Sequence, residues 1–119
     1  MEVVLDTSFI IACAQKKRDY LREIELTFGK VNFIVPSSVL RELEFLNSVE
    51  ARVGKKIAEM HGFEIVDCEE SADDCVIKIA EERGAFVASF DSKLRRRARE
   101  KGIRVITVRK GAYVMDSHY

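Results

Sequence analysis

In 119 residues the chain has one proline, Pro36, no tryptophan and no long apolar run. A single proline leaves no proline-rich linker that could divide the chain into domains, and no repeat or low-complexity segment interrupts the pattern. Without an apolar stretch of spanning length no membrane helix is expected, and Glu2-Val3-Val4-Leu5-Asp6 lacks the basic and apolar regions of a secretion signal. The expectation is a soluble, cytoplasmic protein. Cysteine is sparse: Cys13, Cys68 and Cys75 are odd in number and lack C-x-x-C spacing, which argues against a zinc site and for reduced cysteines used mostly in packing. Histidine is sparser still. His61 beside Gly62 reads as a helix-end residue, and His118 with Tyr119 reads as a frayed terminus, although these two and Tyr113 are also candidates to stack on bases. No histidine is placed to serve as a general base.

A net charge of one sign is also absent, but the balance of 20 bases and 20 acids is uneven along the chain. Between Asp91 and Gly111, nine Lys and Arg face only Asp91 and Glu100, a local +7, so the remainder carries −7. A polyanion can bind one region while a cation binds the other. What is abundant is hydrophobic residues, 47%, enough to fill one core, and a single domain over residues 1–119 is expected.

Short branched runs recur at Val3-Val4-Leu5, Phe33-Ile34-Val35, Phe63-Glu64-Ile65-Val66, Phe86-Val87-Ala88 and Arg104-Val105-Ile106-Thr107, each of strand length. Helical patterns separate them. One or two fit between the first pair of runs, including Asp19 to Phe28 stopped by Gly29. Two fit between Ser37 and His61, ended by Gly62. One each fits Ser71 to Arg83 and Ser92 to Lys101, stopped by Gly84 and Gly102. Strands alternating with helices predict an α/β fold, with a mainly parallel sheet of four to five strands covered on both faces. In such sheets the reactive edge lies where strands end and helices begin, at the point where strand order reverses. Asp6 follows the first run directly and Asp91 follows the fourth closely, so both belong at that edge.

Helical phase selects two further acids. Ser37 or Ser38 can cap the helix after the second run, where Val39, Leu43 and Leu46 form a buried stripe with Glu42 at its rim. In the Asp73-Asp74 pair, positions three, four and seven beyond Asp73 are Val76, Ile77 and Ala80; beyond Asp74 they are Ile77, Lys78 and Glu81. Asp73 therefore faces inward and Asp74 leans to solvent. Each acid alone has an ordinary explanation at a helix start or on the surface. Four converging carboxylates repel one another unless a cation neutralises them, and all-oxygen sites suit Mg²⁺ or Mn²⁺. Such a site, with one or two ions, activates water against a phosphodiester.

These residues, in this order, resemble the PIN-domain family across essentially the whole chain. Its Asp-Thr-Asn/Ser after the first strand is matched by Asp6-Thr7-Ser8, and its helix glutamate by Glu42 of Pro36-Ser-Ser-Val-Leu-Arg-Glu-Leu. Its third acid is matched by Asp73 of Ala72-Asp-Asp-Cys-Val-Ile, and its Thr/Ser-x-Asp by Ser89-Phe90-Asp91. The resemblance implies a three-layer α/β/α sandwich and an endoribonuclease cutting single-stranded or flexible RNA with Mg²⁺ or Mn²⁺. Asp6, Glu42, Asp73 and Asp91 would be both catalytic and metal-binding, supported by Ser8, Ser89 and Asp74. Ser8 stands where Asn is common, and its hydroxyl can still bond a neighbouring carboxylate. Asp-Asp-Cys, the later Lys-Leu-Arg-Arg-Arg and the closing Gly-Ile-Arg-Val-Ile are most similar to the ribosomal-RNA-processing branch of archaea and eukaryotes. The toxin branch of toxin–antitoxin pairs, or a weakly active module that holds RNA or protein, is the alternative. Partners implied are RNA, a second copy of the chain, and a ribosome-assembly factor or an antitoxin.

Lys93, Arg95, Arg96, Arg97 and Arg99 place positive charge on several faces of the helix after Asp91. They are the expected contacts to the RNA backbone, which predicts salt-sensitive binding with weak sequence preference. A receiver-like signalling domain fits less well. It needs a second acid beside Asp6 and a Lys ending the fifth strand, where Thr7 and Thr107 stand.

Overall fold

A computed structural model describes residues 1–15, 19–108 and 114–117; Tyr113, His118, Tyr119, Arg109 and Lys110 lie outside them. β1 (Glu2–Leu5) leads into α1 (Thr7–Gln15) and α2 (Tyr20–Phe28), and β2 (Asn32–Pro36) into α3 (Ser37–Leu46) and α4 (Val49–Met60). β3 (Glu64–Val66) precedes α5 (Ala72–Arg83), β4 (Phe86–Ala88) precedes α6 (Ser92–Glu100), and β5 (Val105–Val108) follows. A further strand, β6 (Val114–Ser117), runs antiparallel to β5. The sheet order is β3-β2-β1-β4-β5-β6, parallel from β3 through β5. Branched runs predict only four to five strands. The sixth escapes that reading because Val114-Met-Asp-Ser contains one branched residue and pairs as an edge.

Strand order reverses at β1, flanked by β2 on one side and β4 on the other. Right-handed crossovers then put α1 to α4 on one face and α5 and α6 on the other, giving the three layers. α1 and α3 both pack on α4, while α5 contacts α6, β1, β2 and β4. Central strands are apolar on both sides, as parallel strands covered by helices must be: Val3, Val4, Leu5, Ile34, Val35, Val87 and Ala88 are buried. Gly54 allows α4 to approach α1, since a Cβ there would lie 2.8 Å from Cγ2 of Ile10.

Side chains start most helices as expected. Asp19 accepts from the backbone N–H of Arg22, Ser48 from Ala51, and Ser71 from Asp74, and Gly84 closes α5 at φ 62°. α3 differs. Pro36 occupies its cap position with no side-chain hydrogen bond, so neither Ser37 nor Ser38 caps it. Instead Ser37 Oγ accepts the N–H of Cys68 at 2.9 Å and donates to its carbonyl at 3.2 Å, while Arg41 donates to that same carbonyl at 2.7 Å. Leu46, expected in the buried stripe with Val39 and Leu43, is 48% exposed because α3 ends there and the chain turns through Asn47.

The cysteines also depart from expectation. Cys68 and Cys75 form a disulfide that ties the loop before α5 to that helix's first turn, and Cys13 is left as a free thiol, its pKa pushed up to about 12 mainly by burial. At the other end of the sheet, Arg83 at the close of α5 bonds both Glu2 and Glu64, which flank Asn32 across the starts of β1, β3 and β2. Among the described residues no helix is long and apolar enough to cross a membrane.

Candidate active site

Asp6 leaves β1 at the C-terminal edge of the sheet, where the reversal of strand order opens a crevice. It is 4% exposed, and its carboxylate accepts from three donors, the Ser8 hydroxyl shared between its two oxygens. Ser8 Oγ lies 2.9 Å from both oxygens, the Phe9 N–H 2.9 Å from Oδ1, and Ser89 Oγ 2.6 Å from Oδ2. The Phe9 bond makes Asp6 the start residue of α1 as well as part of the crevice. Each serine hydroxyl that donates to Asp6 also accepts a backbone N–H from the next loop: Ser8 from Phe90 at 3.0 Å, Ser89 from Asp91 at 2.9 Å. Phe9 and Phe90, whose backbone N–H groups donate to Asp6 and Ser8, stack their rings at 5.3 Å, with Tyr20 tilted against both.

The electrostatics follow from that placement. Burial raises the Asp6 carboxyl to about 6, the hydrogen bonds from Ser89, Phe9 and Ser8 oppose the rise, and the charge of Asp73 adds to it. Asp73, in the first turn of α5, is also raised, first by desolvation, then by the charges of Asp91 and Glu42. Arg97 opposes that shift. The four acids, drawn from β1, α3, α5 and the start of α6, therefore act in one electrostatic field. Asp91 begins α6 and accepts the N–H groups of Lys93 and Leu94 through Oδ1 alone, which leaves Oδ2 for a ligand.

Asp73 does not face inward as helical phase predicts: it and Asp74 are both exposed, because they stand in the first turn of α5, and they differ instead in their partners. Asp73 shares the field of Asp91 and Glu42, whereas Asp74 is held by Arg97 at 2.5 Å and lowered by that bond. Glu42 is exposed on α3, one residue from Arg41, which grips Cys68. Of the basic residues on α6, Arg97 is thus tied to α5, Arg95 Nη1 donates to the Ser89 carbonyl at 3.1 Å, and Lys93 and Arg96 point to solvent. Sequence reasoning missed the support from Ser37, Arg41 and the disulfide. Two cysteines seven residues apart, one in a loop and one a turn into a helix, were the available signal.

Among the described residues no group of three or more His, Cys, Asp or Glu side chains is preformed as a metal cage. The donor set is nevertheless all oxygen, the charge of Asp73 raises Asp6, the charges of Asp91 and Glu42 raise Asp73, and Arg97 is committed to Asp74. Mg²⁺ retains several waters and needs only one or two carboxylates, so an open acidic crevice of this kind fits it.

Comparison with known proteins bears on the family and the fold. Residues 3–111 match the family model described as "PIN like domain". The chain is 33% identical over 109 residues to "Ribonuclease VapC9" of Archaeoglobus fulgidus, covering 86% of this chain and 78% of that protein. It is 31% identical over 121 residues to "rRNA-processing protein FCF1" of Saccharomyces cerevisiae, covering 97% of this chain but only 64% of the yeast protein's length. Among solved structures, the PIN domain endonuclease Utp24 superposes with a TM-score of 0.85 at 27% identity, covering 99% of this chain and 92% of that one.

Proposed function

The chain belongs to the PIN-domain nuclease family, and on that premise we propose that it is a metal-dependent endoribonuclease acting on single-stranded or flexible RNA, in ribosomal RNA processing. The observation that carries the reading is Asp6: a buried carboxylate at the switch point of the sheet, raised to about 6 and sharing the field of Asp73. A carboxylate so placed weakens the fold unless it serves a ligand. Asp6, Glu42, Asp73 and Asp91 would hold one or two Mg²⁺ or Mn²⁺ ions, which when bound supply an activated water and stabilise charge on the phosphate.

The chain's own groups do the rest. Ser8 and Ser89 fix the Asp6 carboxylate by donating to it, and Asp91 keeps one oxygen free because the α6 N–H groups use only the other. Asp74 holds Arg97 in an ion pair, so the Asp73 carboxylate itself carries no arginine bond and can serve the cation. Lys93, Arg95, Arg96, Arg97 and Arg99 supply the positive field for the phosphate backbone. The cytoplasm, a second copy of the chain and an assembly partner complete the reading.

A second reading, the ribonuclease of a toxin–antitoxin pair, is favoured by the likeness to the archaeal Ribonuclease VapC9. The two share their chemistry and differ in target and partner. Incubation with end-labelled single-stranded RNA and Mn²⁺ tests that chemistry: cleavage is expected, and Asp6→Asn and Asp91→Asn should each abolish it. Cleavage that persists in both variants, or none in the parent, defeats the proposal.

A further inference from the structure

The two flanks of α6 have different neighbours. On one, Arg97 Nη2 donates to Asp74 Oδ1 and that guanidinium is committed to α5. On the other, Ser92, Arg95, Arg96, Arg99 and Glu100 line a cleft of about 450 Å³ that begins one residue from Asp91. Positions 92, 95, 96 and 99 recur at three- and four-residue spacing, so they share one helix face, which runs roughly 10 Å from Ser92 to Arg99 at the helical rise. Three guanidinium groups face one carboxylate there.

Two of those arginines are set up to bind an anion. Arg95 is anchored by its bond to the Ser89 carbonyl, and its Nε is buried without a hydrogen-bond partner among the described residues. The bond to Ser89 uses Nη1, which fixes the guanidinium at the cleft wall with its other amino group left for an anion. Arg96 is exposed and makes no hydrogen bond or ion pair among the described residues. The volume lies in the range of small-molecule sites. Guanidinium forks grip phosphate with two parallel bonds, and their planes stack on unpaired bases.

We infer that the cleft lined by Ser92, Arg95, Arg96 and Arg99 is a subsite for one nucleotide of a single strand, its phosphate held by the arginines beside the acidic cluster. Arg97 braces α5 and does not touch the strand. The inference rests on the ribonuclease reading and sharpens it: the basic residues of α6 are not interchangeable, and the strand leaves the site along one defined flank.

The test measures fluorescence anisotropy of the full chain with a fluorescein-labelled single-stranded RNA of roughly a dozen nucleotides in EDTA, long enough to span the site and its flank, over a series of salt concentrations. Cleavage kinetics in Mn²⁺ run in parallel. Arg96→Ala and Arg99→Ala should each weaken binding about tenfold, flatten the salt dependence by close to one phosphate contact, and raise KM with kcat little changed. Arg97→Ala should weaken binding less than either, and the α2 surface variant Arg22→Ala should keep the parent's RNA affinity and salt slope. If the parent binds and cleaves but Arg96→Ala and Arg99→Ala match it in affinity, slope and KM, the subsite is wrong while the nuclease reading stands. If the parent neither binds nor cleaves RNA, both fall. An oligo-glutamate peptide of equal charge that binds as tightly, with the same dependence on Arg96, would assign the cleft to an acidic protein and also overturn the inference.

Discussion

The hydroxyl of Ser89 lies 2.6 Å from Oδ2 of Asp6, across 83 residues of chain, while accepting the N–H of Asp91 at 2.9 Å. One buried serine thus fixes the carboxylate that ends β1 relative to the residue that starts α6, and it settles where two of the four acids stand. Its proton is spent on Asp6 and its lone pair on Asp91, so the link has a direction.

Ser89→Ala removes both bonds at once. The orphaned Asp91 N–H and the less solvated Asp6 should cost about 1–3 kcal/mol in stability. Because the Ser89 bond holds Asp6 below where burial alone would put it, the acid limb of the rate profile should move to higher pH. Activity at neutral pH should fall roughly 10- to 100-fold, in line with the loss of a group that orients a metal ligand. Denaturant melts and a pH–rate series check this; an acid limb that stays in place would refute the assigned role.

Asp6→Asn should abolish cleavage and yet stabilise the metal-free protein. The folded carboxyl titrates at about 6 and the unfolded one near 3.8, so the folded state holds the extra proton between those values. Stability therefore falls as pH rises from about 4 to about 6 and stays reduced above it. Asparagine removes that penalty, of order 3 kcal/mol at pH 7 for a group this deeply buried. Urea midpoints at pH 4 and pH 7 should differ less in Asp6→Asn than in the parent. Mn²⁺ should raise the parent's Tm and leave that of the variant nearly unchanged.

Reduction, or the pair Cys68→Ser and Cys75→Ser, releases the loop ahead of α5. Closing so short a loop contributes about 2 kcal/mol, and the melting temperature should drop accordingly. The first turn of α5, which carries Asp73, should lose hydrogen-exchange protection before α4 does. Equal protection in the oxidised and reduced proteins would show that Ser37 and Arg41 hold the loop unaided.

Gly54→Ala should destabilise by about 1–3 kcal/mol, since the new methyl meets a buried, branched Ile10 side chain that has little room to move. A compensating Ile10→Leu, which lacks the β-branched methyl that the new Cβ meets, should recover some of the loss in a thermal melt.

Much of the arrangement was legible because it rests on local rules. Branched runs placed β1 to β5, and Asp19, Ser71, Gly29 and Gly84 marked helix ends through capping and left-handed geometry, which depend on few neighbours. Topology put Asp6 and Asp91 at one edge for the same reason. What escaped depends on contacts distant in sequence. Ser37 leaves its own helix start to bind Cys68 because α5's approach offers both a donor and an acceptor there. Arg97 reads as a free base until Asp74, 23 residues earlier, is seen against it. β6 is defined by pairing with β5, and its own composition is no guide.

Glu2, Asn32, Glu64 and Arg83 join the opposite ends of the same strands that carry the acids. At that end one guanidinium bridges two carboxylates, and at the other the carboxylates are left for a ligand to bridge. The two ends are separated by the length of the strands, beyond the range at which substitutions couple strongly. Selection can therefore tune the robustness of the scaffold through Arg83 and its partners while target choice drifts at the other rim. A family built on this sheet can change what it cuts without renegotiating how it folds.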